Sequence, residues 1–177
     1  MSTGPVVPTA LSRGRTERFG ELAARYLEEY LAKLRLAFDR LPSERLWWRP
    51  APGANSAGNL ALHLCGNLSL WLLASVGGEP FVRDRAAEFA ATGGPDAAEL
   101  LFRLEAVVSR CAALVRGLGE DDLRRPLRIQ TYDTDVLGAV FHAVEHMSYH
   151  TGQVLYLLKQ SLPGGEQVEL YPQHRRE

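Results

Sequence analysis

The stretch FHAVEHMSYHTGQV, residues 141–154, carries three of the chain's five histidines at a spacing of four. On a helix each step of four brings the side chain back with a drift of roughly 40°. With His142 set at zero, His146 falls near about +40°, His150 near about +80°, Tyr149 near about −20° and Gln153 near about +20°. The strip they form holds no charged residue, although charge normally dominates a solvated helix face. Two imidazoles one turn apart can chelate a single divalent ion. A third from a neighbouring helix completes three ligands and leaves a position for water or substrate. Spacing alone allows either His142/His146 or His146/His150 as the pair.

A second polar strip lies upstream, in NSAGNLALHLCGN. There Ser56, Asn59, His63 and Asn67 fall within about 40° of one another on a helix that is otherwise apolar. Such strips are costly in a core unless something satisfies them. HAVEH also matches the H-x-x-E-H peptidase signature, with Glu145 as its would-be base. Glu145 points about 100° away from His146, and no helix follows to supply a distal glutamate, so the peptidase reading is set aside.

Four helices must position these groups. Phe19, Leu22, Tyr26, Tyr30, Leu34 and Phe38 recur at three and four and predict a first helix from Thr16, ended by the proline-rich LPSERLWWRPAPGANS. Asn55 or Ser56 caps a second helix running to Gly77 and Gly78. The segment from about 77 to 95 is looser, has room for one short helix and is long enough for a crossover. Asp96 caps a third helix with a stripe from Leu101 to Leu118, and Asp133 or Thr134 caps a fourth that Pro163, Gly164 and Gly165 stop. No alternating strands are evident. The expected architecture is all-α, a four-helix bundle over residues 16–162, with loose tails at 1–15 and 163–177, the latter holding an exposed His174.

Bulk properties narrow the function classes. The 177 residues suit one domain, and 46% hydrophobic with 23% charged is a globular composition. Twenty Lys+Arg against 21 Asp+Glu leaves a net charge of −1, with no footprint for nucleic acid or an anionic membrane. No stretch reads as a membrane span or signal peptide, and Cys65 and Cys111 read as core residues without a disulfide framework. A cytoplasmic protein is expected. Trp47 and Trp48 read as a plug for one end of the bundle, and Arg49 as solvated.

Together, WWRPAPGANSAGNLALHLCGNL (residues 47–68) and FHAVEHMSYHTGQVLYL (residues 141–157) resemble the DinB-like superfamily of metal-binding four-helix bundles. The resemblance spans roughly residues 16–162. It implies up-up-down-down connections, a homodimer, and zinc or nickel bound by His63, His146 and His150. The additional His142 is a departure from the pattern, readable as a fourth ligand, an alternative one or a partner behind the ligands. By resemblance the protein is a metal-dependent enzyme, a thiol-dependent S-transferase using a low-molecular-weight thiol or a hydrolase, acting on a small molecule. Tyr149, Asn59, Asn67 and Gln153 are then candidates to position substrate, each with a helix-to-helix hydrogen bond as its plainer alternative. A non-catalytic, metal-stabilised interaction module is the alternative function, and a metal-free interaction protein a third. No arginine or lysine cluster is evident near the site, so the substrate's charge stays open.

Overall fold

The structure, a computed structural model, describes residues 14–162 and 168–169. The tails expected outside the bundle, His174 included, otherwise lie outside the described residues. Four long helices carry the fold: α1 (Arg15–Arg40), α2 (Ala57–Leu68, widening into a π-helical turn over Ser69–Ala74), α4 (Ala97–Arg116) and α6 (Val136–Ser161). Between them stand two short helices, α3 (Arg85–Ala90) and α5 (Glu120–Leu123), and a hairpin of β1 (Pro126–Ile129) and β2 (Tyr132–Asp135).

Residue pairings fix the chain directions. Gly20 and Arg35 of α1 meet Val115 and Glu105 of α4, so these helices are antiparallel. Leu68 and Gly77 meet Cys111 and Leu114, so α2 and α4 run parallel. His63 meets His146 while Trp71 meets His142, so α2 and α6 are antiparallel. The order is therefore up, down, down, up rather than up-up-down-down. The short link after α1 reverses the chain, and the long segment before α4 is the crossover.

The core is a single apolar cluster drawn from all four long helices, with Leu27, Leu34, Leu64, Leu104, Met147 and Leu158 among its fully buried members. Gly20 permits the close approach of α1 and α4, because a Cβ there would stand 2.5 Å from the Val115 carbonyl oxygen. Ala57–Ala74 is long and apolar enough to cross a membrane by composition, yet most of it is buried within the bundle. It is the core helix, and its polar strip faces α3 and α6.

Caps match the local sequence. Ser56 and Asn59 form a reciprocal capping box at the start of α2, and Asp96 accepts from the Glu99 N–H to start α4. At α6 the cap is Asp135, accepting from the Gly138 N–H at 2.7 Å, and neither Asp133 nor Thr134. Those two belong to β2: Asp133 pairs across the ladder with Arg128 at 2.7 Å, and Thr134 lies opposite Leu127. The hairpin has a two-residue turn with Gln130 at φ +55°, and Ile129 anchors it in the core.

Candidate metal centre

Helix α2 presents His63 and helix α6 presents His146 and His150 across the same seam. His146 Nε2 lies 3.2 Å from His63 Nε2 and 3.2 Å from His150 Nε2. One ligand atom from each of the three lies within 4.8 Å of the others. Around an ion with metal–nitrogen bonds of about 2.0–2.1 Å, two tetrahedral ligand nitrogens stand about 3.3 Å apart. The observed separations match that edge.

The outer ring nitrogens determine which atoms face inward. His150 Nδ1 lies 2.7 Å from Gln153 Oε1 and His63 Nδ1 lies 2.8 Å from Glu88 Oε2. Both partners accept, so both Nδ1 atoms carry the proton and both Nε2 atoms turn lone pairs inward. Arg83 Nη2 also stands 2.9 Å from His63 Nδ1. A guanidinium only donates, however, and Arg83 has Glu88 itself to donate to, at 2.7 Å from Nε and 2.8 Å from Nη2. Arg83 and His63 Nδ1–H therefore both donate to the Glu88 carboxylate, whose negative charge holds the two neighbouring donors together. His146 Nε2–H could donate to one of its two neighbours, never to both, so three imidazoles at this spacing leave a lone-pair conflict that a cation resolves.

Glu88 was invisible in the sequence reading, yet it is the group that orients His63. It is 9% exposed and sits on α3. The bundle grips α3 by its backbone: Asn59 donates its amide hydrogens to Glu88 O at 2.9 Å and Ala91 O at 2.7 Å, and Arg49 donates to Phe89 O at 2.6 Å and Ala91 O at 3.1 Å. Arg49, expected to be solvated, is thus a clamp. Asn59 has its amide committed to α3 and to the α2 cap, which places it behind the histidines. Gly66 completes the arrangement: a Cβ there would stand 2.0 Å from Glu88 Oε1. Trp47 packs against Gly58 and Gly94, close to the same end of α2.

Electrostatics favour neutral rings. Burial pushes the His146 imidazolium down to about 3, and the neighbouring His150 and His63 add to that effect. Burial likewise lowers His150 and His142. For Glu88, burial alone would raise the carboxyl, but hydrogen bonds from Arg83 and His63 outweigh it and hold the group below the usual carboxylate range. A neutral imidazole set backed by a carboxylate is the donor chemistry a divalent cation takes.

His142 takes a different place. Its ring stacks on Trp71 at 3.9 Å between centroids and stands 5.2 Å from His146, and it is not part of the three-histidine group. Its Nε2 is buried without a partner. A cleft of about 310 Å³ opens here, lined by His63, His146, His142, Asn67, Trp71 and Arg83, with Arg85 and the hairpin residues Gln130 and Tyr132 at its rim. Asn67 is 3% exposed and its Oδ1 has no partner. Two arginines therefore do lie at the site, supplied by the segment before α3 and by α3 itself, where helical periodicity gave no reason to look.

Tyr149 and Gln153 face elsewhere. They line a separate depression of about 500 Å³ with Gly152, Tyr156, Pro50 and residues 53–55, and none of the histidines reaches it. Gln153 is tied to His150, while Tyr149, 59% exposed, sets its ring edge-on to His150 at 5.0 Å. The smaller cleft reaches the group from the side of His63 and His146. Glu145 is exposed and does not line the cleft. Neither cysteine is a nucleophile, since burial raises both thiols to about 12.

Comparison with solved structures places this arrangement among known bundles. YfiT from Bacillus subtilis, described as a probable metal-dependent hydrolase with an unusual four-helix bundle topology, superposes with a TM-score of 0.68 at 18% identity, over 89% of this chain and 94% of that one. A DinB-like protein from Bacillus cereus gives 0.65 at 19% identity, over 86% of this chain and 97% of that one. A DinB-like protein from Bacillus subtilis gives 0.58 at 18% identity, over 83% and 99%. At such identities the likeness concerns the fold. No curated protein matches the sequence. The DinB superfamily model matches residues 26–154, which hold His63, His142, His146 and His150, and the chain belongs to that superfamily.

Proposed function

We propose that this protein is a metal-dependent enzyme in which His63, His146 and His150 hold one divalent ion, zinc or nickel, beside a small-molecule cleft. The observation that carries the reading is the convergence of three Nε2 atoms, with His146 3.2 Å from each of the others and two outer nitrogens tied to Glu88 and Gln153. An ion so held supplies Lewis acidity and lowers the pKa of water or a thiol that reaches it.

The protein's own groups do the rest. Glu88 and Gln153 keep His63 and His150 in the tautomer that offers Nε2, and Arg83 keeps Glu88 charged. The cleft admits a ligand to the His63/His146 side, with Asn67 and His142 able to hydrogen-bond it. Because Cys65 and Cys111 are held as thiols, the nucleophile comes from outside the chain. Two reactions satisfy that requirement: hydrolysis, as the description of YfiT suggests, and S-transfer from a low-molecular-weight thiol. The reading also assigns the chain to the cytoplasm, consistent with two free cysteines.

The test is metal content of untagged protein beside His63→Ala, His146→Ala and His142→Ala. One equivalent is expected in the parent and in His142→Ala, and far less in the other two. Absence of metal after reconstitution would end the metalloenzyme reading. If metal is retained, hydrolysis of small esters and amides and conjugation of thiols to electrophiles decide between the two reactions.

A further inference from the structure

We propose that the cleft selects a small organic acid, its carboxylate paired with Arg85 and its polar body hydrogen-bonded to Asn67. This deepens the reading of the cleft as a substrate site and rests on it. None of the residues lining the cleft is Asp or Glu, whereas two are arginines. Arg83 is consumed by its two-pronged contact with Glu88. Arg85 is not: among the described residues it has no carboxylate partner, and its guanidinium rests 4.8 Å over the Phe89 ring, which itself packs 4.5 Å from His63. Arg103, Arg110, Arg116, Arg124 and Arg128 each meet a carboxylate, and Arg45, Arg49 and Arg125, which do not, lie outside the cleft on ring or backbone partners.

The deeper wall points the same way. Asn67 Oδ1 and His142 Nε2 are both buried without partners, in a protein where such groups are ordinarily satisfied. Both line the cleft that Arg85 rims. A ligand that fits must therefore bring negative charge to the rim and hydrogen-bonding capacity to the interior. The guanidinium's planar fork suits a carboxylate, and Trp71 and Tyr132 offer aromatic surface to its body. At about 310 Å³ the space suits a small ligand.

The test uses the full chain, isotope-labelled, in zinc-loaded and metal-free form, titrated with 3-hydroxybenzoate, whose hydroxyl can donate to Asn67 Oδ1, and with 3-hydroxybenzamide and inorganic phosphate. The readouts are the Asn67 side-chain amide and Arg85 Nε–H resonances. 3-Hydroxybenzoate should shift both saturably, 3-hydroxybenzamide and phosphate should bind at least about tenfold more weakly, and Arg85→Gln should weaken 3-hydroxybenzoate about tenfold or more. Arg103→Gln, outside the cleft, should bind as the parent does. Equal binding of 3-hydroxybenzamide or phosphate, or unchanged 3-hydroxybenzoate affinity in Arg85→Gln, overturns the proposal. Metal measured on the same samples separates the two claims. Selectivity in protein that takes up neither zinc nor nickel leaves the anion site standing and sinks the metal reading, and bound metal without selectivity does the reverse.

Discussion

Removing the charge of Glu88 tests whether the segment before α4 is part of the metal site. Glu88→Gln preserves size in a place where Gly66 leaves little room, but it turns a two-sided acceptor into a group with one donor face. Either His63 Nδ1–H or Arg83 then loses its acceptor. Loss of such a partner behind a ligand typically costs 10–100-fold in metal affinity, or about 1.4–2.7 kcal/mol. Breaking a pair this buried also lowers fold stability, by about 3–5 kcal/mol in comparable cases. The assay must therefore separate the two effects, and metal affinity does so, since it concerns molecules that remain folded. Competition against a zinc chelator at neutral pH should show zinc held about 10–100-fold more weakly in Glu88→Gln. The same substitution in a His63→Ala background should cost little further affinity, because Glu88 acts through that ring. Parent-like affinity in Glu88→Gln, or an equal loss in both backgrounds, would refute the relay.

Two glycines of the long helices should respond oppositely to alanine. Gly66→Ala places a methyl 2.0 Å from Glu88 Oε1, so thermal unfolding should show lost stability and the chelator assay lost zinc affinity. Gly152→Ala meets nothing within 4 Å, so helix propensity alone should stabilise by about 0.5–1 kcal/mol, raising Tm by about 1–4 °C. Acid should destabilise the metal-free protein in a definite window. The His146, His150 and His142 values are depressed in the fold, so the unfolded chain takes up the protons and stability falls as pH drops from about 6.5 toward about 3. Glu88, also depressed, adds to the loss at the acid end of that window. Urea titrations at pH 7, 5.5 and 4.5 check this, and a midpoint that does not move would contradict the assignment of neutral buried imidazoles. Alkylation by iodoacetamide at pH 8 should be slow in native protein and fast in urea, because burial holds both thiols near 12.

What the sequence made legible follows from periodicity. The four long helices announce themselves through apolar stripes and caps, and the histidines through a 3.6-residue geometry that holds whatever the rest of the chain does. Hence His63, His146 and His150 could be placed on facing strips before any fold was known. Features without a period stayed hidden. The hairpin is two strands of four residues, one of them, Tyr132–Asp135, lacking any buried apolar residue, so its signal is the Arg128–Asp133 pair rather than alternation. Helical stripes are blind to the sign of the axis, so the chain directions rest on the resemblance alone, and the up-up-down-down order it implies is not the one the helices adopt. Glu88 and Arg83 were missed because a charged residue in a proline- and glycine-rich crossover reads as solvated unless the helix behind it is known to leave a gap. That gap was present in the sequence as Gly66, three residues after His63, one helical turn along the same face. A glycine inside an apolar core helix costs stability against alanine, and when its missing Cβ faces the same side as a candidate ligand, the group filling the space becomes a candidate to orient that ligand. The histidines tell where an ion can sit, whereas the glycine beside them tells that a second layer of structure comes in to hold one of them.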